Sequence, residues 1–144
     1  MRSVGRPVVF VGESTVARIL LIDDEHGVRS IARLILEAAG HFVVEAEDGG
    51  RGMALFRSEK FDLVITDLYM PGKEGIETIQ DMVALDAQVP ILAMSGGGGV
   101  CPESGDALMD AQLFGAHGTL AKPFTADALR KAVESLLLTS PQAG

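Results

Sequence analysis

The stretch 61-FDLVITDLYMPGKEG-75 reads as a buried strand that runs out into a sharp turn, with a carboxylate where it exits. Val64 and Ile65 are suited to burial, and Met70-Pro71-Gly72 forces the chain to change direction. Asp67 stands between the two, and its presence there needs a reason.

Around this segment, short apolar runs alternate with amphipathic ones. ARILLID (17–23), FVVEA (42–46), DLVIT (62–66), PILAMS (90–95) and GTLAK (118–122) are five strand candidates. After the first, Val28, Ile31, Ala32, Ile35 and Ala39 recur at helical spacing and stop at Gly40. After the last, Thr125 can cap a helix whose stripe is Leu129, Ala132, Val133, Leu136 and Leu137. Further helices are expected near 50–58, 74–86 and 103–114, the first of them weakened by glycines at 49, 50 and 52. Five βα units predict a doubly wound α/β domain with a parallel sheet, whose working site lies outside the carboxyl ends of the strands.

The 144 residues, 47% hydrophobic, fit one core and one domain. A net charge of -8 and a pI of about 4.7 argue against direct nucleic-acid binding. The single cysteine, Cys101, makes no intramolecular disulfide and suits a reducing cytoplasm. The apolar run at 8–12 is too short for a secretory core or a membrane span, so no membrane insertion is expected. Residues 1–15 are read as a leader outside the domain: an expression leader, a disordered tail or an added edge strand. The domain itself is expected over 16–139, with a tail at 140–144.

Four strand ends converge on one rim: Asp23-Asp24 followed by Glu25, then Asp67, Ser95 and Lys122-Pro123. Carboxylates facing an ammonium and a hydroxyl suit a hard cation and a phosphoryl group. Asp24 and Asp67 can supply oxygen ligands to Mg2+, which would relieve their mutual repulsion and keep Asp67 ionised as a nucleophile. Lys122 and the Ser95 hydroxyl can stabilise phosphoryl oxygens, so Asp67 reads as a group that becomes phosphorylated. Alone, an Asp-Asp pair is a solvated helix cap and a lysine a surface charge; their meeting with Asp67 and Ser95 decides for function.

In ILLIDDE, VITDLYMPG, PILAMS and LAKPF, taken in order, the chain resembles the receiver domains of two-component response regulators over roughly residues 17–138. The resemblance implies a five-stranded sheet of order 2-1-3-4-5. It also implies a Mg2+ site, with Mn2+ as a substitute, formed by Asp23, Asp24, Asp67 and the Tyr69 backbone carbonyl. Ser95, Gly96 and Lys122 would bind phosphate, Ser95 and Thr119 would form the switch, and the peptide before Pro123 would be cis. The phosphoryl donor would be a histidine kinase or histidine phosphotransfer protein, and the output an unknown downstream protein. Such a domain is not an enzyme toward other molecules; it catalyses only its own phosphorylation and dephosphorylation.

The chain departs from the family at Thr119, where many receivers carry an aromatic residue, and in the connection GGGGVCPESGD after Ser95. Its glycines predict a mobile loop through which phosphorylation would act on the helix near Glu103. TSPQAG (139–144) holds no output domain, as expected of a stand-alone receiver or of a piece cut from a longer protein. His26, His41 and His117 are expected to be surface or packing residues.

Two other functions compete. A phosphohydrolase with Asp67 as nucleophile would want a general acid two residues later, where Tyr69 stands. A nucleotide or flavin binder using the glycine run fails the spacings of both phosphate-binding glycine motifs.

Overall fold

The computed structural model describes residues 9–11, 14–68, 75–95 and 115–139. The chain runs β1 (Val9–Val11), β2 (Ser14–Val16), β3 (Arg18–Ile22), α1 (His26–Ala38), β4 (Phe42–Ala46), α2 (Gly49–Ser58) and β5 (Leu63–Asp67). It continues with α3 (Gly75–Leu85), β6 (Ile91–Ser95), β7 (Gly118–Ala121) and α4 (Ala126–Thr139). The helix expected at 103–114 and the loop of glycines 96–99 lie outside the described residues.

Strands β3 to β7 form one parallel sheet of order β4-β3-β5-β6-β7, which is 2-1-3-4-5 in order of appearance. The central strand β5 is buried along its whole length, as a parallel strand covered on both faces must be. Alternation along the strands divides the core in two. Leu20, Ile22, Val64 and Ala93 pack with Met53 of α2 and Ile79 and Met82 of α3. Ile19, Leu21, Ile65 and Met94 pack on the other face with Ala32 and Leu36 of α1 and Leu129, Val133 and Leu136 of α4.

Residues 9–11 and 14–16 pair antiparallel with each other in a two-stranded sheet of their own. Ala17 follows it; its N–H donates to His41 Nδ1 at 3.1 Å and its carbonyl accepts from Phe42 N.

Helix ends follow local chemistry. Gly40, at φ 98°, lets the amides of Gly40 and His41 return to the carbonyls of Glu37 and Leu36, which terminates α1. Thr125 Oγ1 accepts from Ala128 N at 3.0 Å and caps α4. The expectation for α1 needs one correction: Ile31 is 57% exposed and Leu36 takes its place in the core. The buried stripe is centred on Ala32 and Leu36, and Ile31 sits about 100° round the helix from Ala32. Helix α2 forms despite its glycines. Asp48 accepts from Arg51 N, and a Cβ at Gly52 would come within 2.4 Å of Ile22 Cδ1, so the glycine lets α2 lie close against β3.

Candidate functional site

Parallel register brings the strand ends side by side. Asp67 pairs with Met94, and Ser95 with Ala121, so the ends of β5, β6 and β7 form one rim. Asp23 follows β3 directly and is held against β4 by a bond from its N–H to the Ala46 carbonyl, 3.1 Å. Its side chain is fully buried: Oδ1 accepts from Glu25 N at 2.9 Å and Oδ2 from Lys122 Nζ at 3.2 Å. Asp24 beside it is exposed. Asp67 is 4% exposed, and Leu68 after it donates to the Met94 carbonyl.

Lys122 reaches into this group from the end of β7 with a side chain only 5% exposed. Its ammonium lies 3.2 Å from Asp23, 3.0 Å from Glu25 and 3.4 Å from Asp67. The Lys122–Pro123 peptide is cis. Burial disfavours the ammonium, but Asp67, Glu25 and Asp23 outweigh it, and the Lys122 pKa is raised. For Asp23, burial is the largest influence and raises its pKa; the Glu25 amide and Lys122 oppose it without reversing it. The pair stabilises both charges equally; the ammonium prevails over its own burial because it has three carboxylate partners, whereas the more deeply buried Asp23 does not recover its desolvation cost.

One carboxylate oxygen from each of Asp23, Asp24 and Asp67 lies within 4.8 Å of the others. Neighbouring oxygens in a Mg2+ octahedron with bonds of about 2.1 Å are roughly 3 Å apart, so a modest contraction fits these residues to the ion. Among the described residues four carboxylates, counting Glu25, gather here with the Lys122 ammonium, and a divalent cation would balance the excess.

The predicted Asp23, Asp24, Asp67 and Lys122 are therefore brought together. Thr119 lies on β7 opposite Ala93, partly buried. The Ser95 backbone ends β6; its side chain, Tyr69 and Gly96 lie outside the described residues. The sequence places Glu25 on the rim without a role for it, and gives no signal for Arg29. Glu25 is a third partner of Lys122, and Arg29 on α1 donates from Nη1 to the Asp23 carbonyl at 2.7 Å while its Nε donates to Glu45 at 2.8 Å. No described helix is long and apolar enough to cross a membrane.

Comparison with known proteins agrees with this arrangement. Residues 19–134 match the family model described as the response regulator receiver domain. The sporulation initiation phosphotransferase F of Bacillus subtilis is 29% identical over 120 residues, which cover 83% of this chain and 93% of that protein. The transcriptional regulatory protein FixJ of Bradyrhizobium diazoefficiens is 32% identical over 124 residues, covering 86% of this chain. The chain spans only 58% of FixJ and 28% of the Escherichia coli regulator GlrR, so it corresponds to one part of those longer proteins. Among solved structures, a receiver domain protein of Methanospirillum hungatei superposes with a TM-score of 0.77 at 26% identity, covering 90% of this chain and 99% of that one. Chemotaxis protein CheY4 of Vibrio cholerae gives 0.73 at 29% identity, covering 83% and 98%. With its sheet order, its strand-end carboxylates and this match over most of its length, the chain belongs to the response regulator receiver domain family.

Proposed function

We propose that the chain accepts a phosphoryl group on Asp67 from the phosphohistidine of a histidine kinase or phosphotransfer protein, and that this alters how it binds a downstream protein. The observation that carries the reading is the Lys122 ammonium 3.4 Å from Asp67, beside three carboxylates close enough to share one cation. An Asp67 oxygen bonds to phosphorus as the bond from the donor's imidazole nitrogen breaks, the electron pair leaving with the ring. Lys122 donates to a phosphoryl oxygen and Ser95 to another. Asp23, Asp24 and Asp67 would hold Mg2+ together with the Tyr69 carbonyl, and the Gly96 backbone would contact phosphate. Bound Mg2+ supplies positive charge to the phosphoryl oxygens and keeps Asp67 ionised.

Ser95 and Thr119 report the change. The ring that many receivers move at the position of Thr119 is absent, so the response rests on the hydroxyls and the backbone of β6 and β7. A protein partner instead of DNA fits the net charge of -8, and a cytoplasmic location fits the single cysteine. The family match offers no support for the alternative of an aspartate-nucleophile phosphohydrolase.

Incubation with a small phosphodonor and Mg2+ tests the reading. Intact-mass measurement should show one acyl phosphate per chain, dependent on Mg2+ and absent from Asp67→Asn. Labelling of the Asn variant to the same extent, or rapid multiple turnover without a phosphorylated protein, would overturn it.

A further inference from the structure

We infer that Arg29 is a positioning residue for the metal site: by holding the Asp23 carbonyl it fixes the peptide plane between Asp23 and Asp24 and thereby sets where the Asp24 carboxylate lies. This inference rests on the reading of the Asp23, Asp24 and Asp67 carboxylates as a Mg2+ site.

The two acidic neighbours differ in how they are held. Asp23 is tied at every polar group, with its N–H on Ala46, its carboxylate on Glu25 N and Lys122 Nζ, and its carbonyl on Arg29 Nη1 at 2.7 Å. Asp24 is exposed, and its own backbone sets the direction in which its carboxylate leaves the chain. That backbone begins with the peptide whose carbonyl oxygen Arg29 grips.

Arg29 is itself clamped. Its side chain is 13% exposed, Nε donates to Glu45 Oε1 at 2.8 Å, and Nη2 stands 3.3 Å from His26 Nδ1. Arg33 holds the other oxygen of Glu45 at 2.6 Å, so the carboxylate that anchors Arg29 is fixed from two sides. Glu45 also precedes Ala46, whose carbonyl accepts the Asp23 N–H. Both backbone groups of Asp23 are thus referred to the end of β4, one directly and one through the guanidinium. A lysine at 29 would keep the charge but lose the planar fork that serves Glu45 and the carbonyl together.

Through-space electrostatics and positioning predict opposite results, which makes the inference testable. Removing a positive charge close to a cation site should tighten Mg2+ binding if charge alone matters. Removing a positioning group should weaken it, and loss of such outer contacts typically costs about 10–100-fold in metal affinity.

The experiment is Mg2+ titration of the unphosphorylated full chain by calorimetry or amide chemical shifts, for wild type, Arg29→Ala, Arg29→Lys and Glu45→Gln. Each variant's melting temperature is measured without metal. Arg29→Ala and Arg29→Lys should each bind Mg2+ about tenfold or more weakly, and Glu45→Gln should shift the same way by less. Equal or tighter binding in Arg29→Ala, or wild-type affinity in Arg29→Lys, would overturn the inference. If Arg29→Ala does not fold, Arg29→Lys decides. A lower melting temperature with unchanged Mg2+ affinity would reduce Arg29 to a structural residue. A wild-type chain that binds no Mg2+ would instead overturn the reading of the site, and this inference with it.

Discussion

Gly75 backs directly onto Asp67: a Cβ at position 75 would lie 2.3 Å from the Asp67 carbonyl oxygen and 2.5 Å from Leu68 Cα. The first turn of α3 therefore presses on the backbone that carries the proposed nucleophile, and the Gly75 N–H donates to the Leu68 carbonyl at 3.2 Å. Gly75 is buried, and the atoms that would have to move belong to backbone, which cannot rotate out of the way. Gly75→Ala should lower stability by about 1–3 kcal/mol, the usual cost of overpacking. It should also slow phosphorylation at temperatures where the variant is fully folded, because Asp67 is displaced. Chemical denaturation and intact-mass labelling check the two effects, and wild-type values in both would remove Gly75 from the site.

Lys122→Ala should separate stability from metal binding. Without metal, the variant leaves Asp23 and Asp67, exposed by 0% and 4%, with no ammonium between them. Breaking such a buried pair costs on the order of 3 kcal/mol. Mg2+ should restore more stability to the variant than to wild type and bind it more tightly, since the competing cation has gone. Thermal denaturation across a Mg2+ series measures both. A variant whose melting temperature rises no more with Mg2+ than that of wild type would contradict a shared site for the ion and the ammonium.

Asp24→Ala should behave differently, because Asp24 is exposed and adds negative charge to an already acidic group. Its loss should leave metal-free stability within about 0.5 kcal/mol of wild type or raise it slightly. Mg2+ affinity should nevertheless fall, as one carboxylate ligand is removed. Calorimetric titration decides, and unchanged affinity would take Asp24 out of the ligand set.

Asp67 and Gly75 differ in how far the sequence alone reveals their roles. Asp67, Ser95 and Lys122 end apolar runs, and β-strand periodicity with parallel topology is enough to place such ends on one rim. The helix at 126–139 was legible for a similar reason, since its stripe and its Thr125 cap are both local. Gly75 and Gly52 were not, because a glycine needed for space looks in sequence like one that merely weakens a helix; the need becomes visible only once Ile22 and Asp67 lie beside them. Arg29 resembled any solvated helix residue, for its partners Glu45 and Asp23 lie on different elements. Ile31 was misplaced because apolar spacing alone cannot tell a stripe centred on Ala32 and Leu36 from one rotated by a residue. The exposed Asp24, by contrast, was identified from chemistry and not from burial.

His41 was expected to be a surface or packing residue, and its ring makes the fold pH-sensitive in a defined direction. It is 7% exposed, and its Nδ1 accepts the Ala17 N–H, which requires an unprotonated Nδ1. Burial lowers its pKa below the ordinary value of 6.5; Glu134 and Asp62 pull the other way and do not prevail. His117 has the same role at the opposite edge of the sheet, between β6 and β7, accepting Ile91 N–H at 3.0 Å, and burial lowers it too. In the unfolded chain both imidazoles take up protons as pH falls through about 6.5, whereas the folded chain resists. The unfolded state then binds more protons, so the contribution of these histidines is complete above about 6.5 and is lost as pH drops through the lower folded values. His41→Asn keeps an acceptor near the position of Nδ1 without a titrating group, and should flatten the pH dependence of stability below about pH 6.5. His41→Leu leaves the buried Ala17 N–H without an acceptor and should cost about 1–3 kcal/mol at neutral pH. Urea denaturation from about pH 5 to 8 compares the three proteins. If His41→Asn keeps the full wild-type slope, the proton uptake belongs to other groups and the ring at 41 serves only as packing.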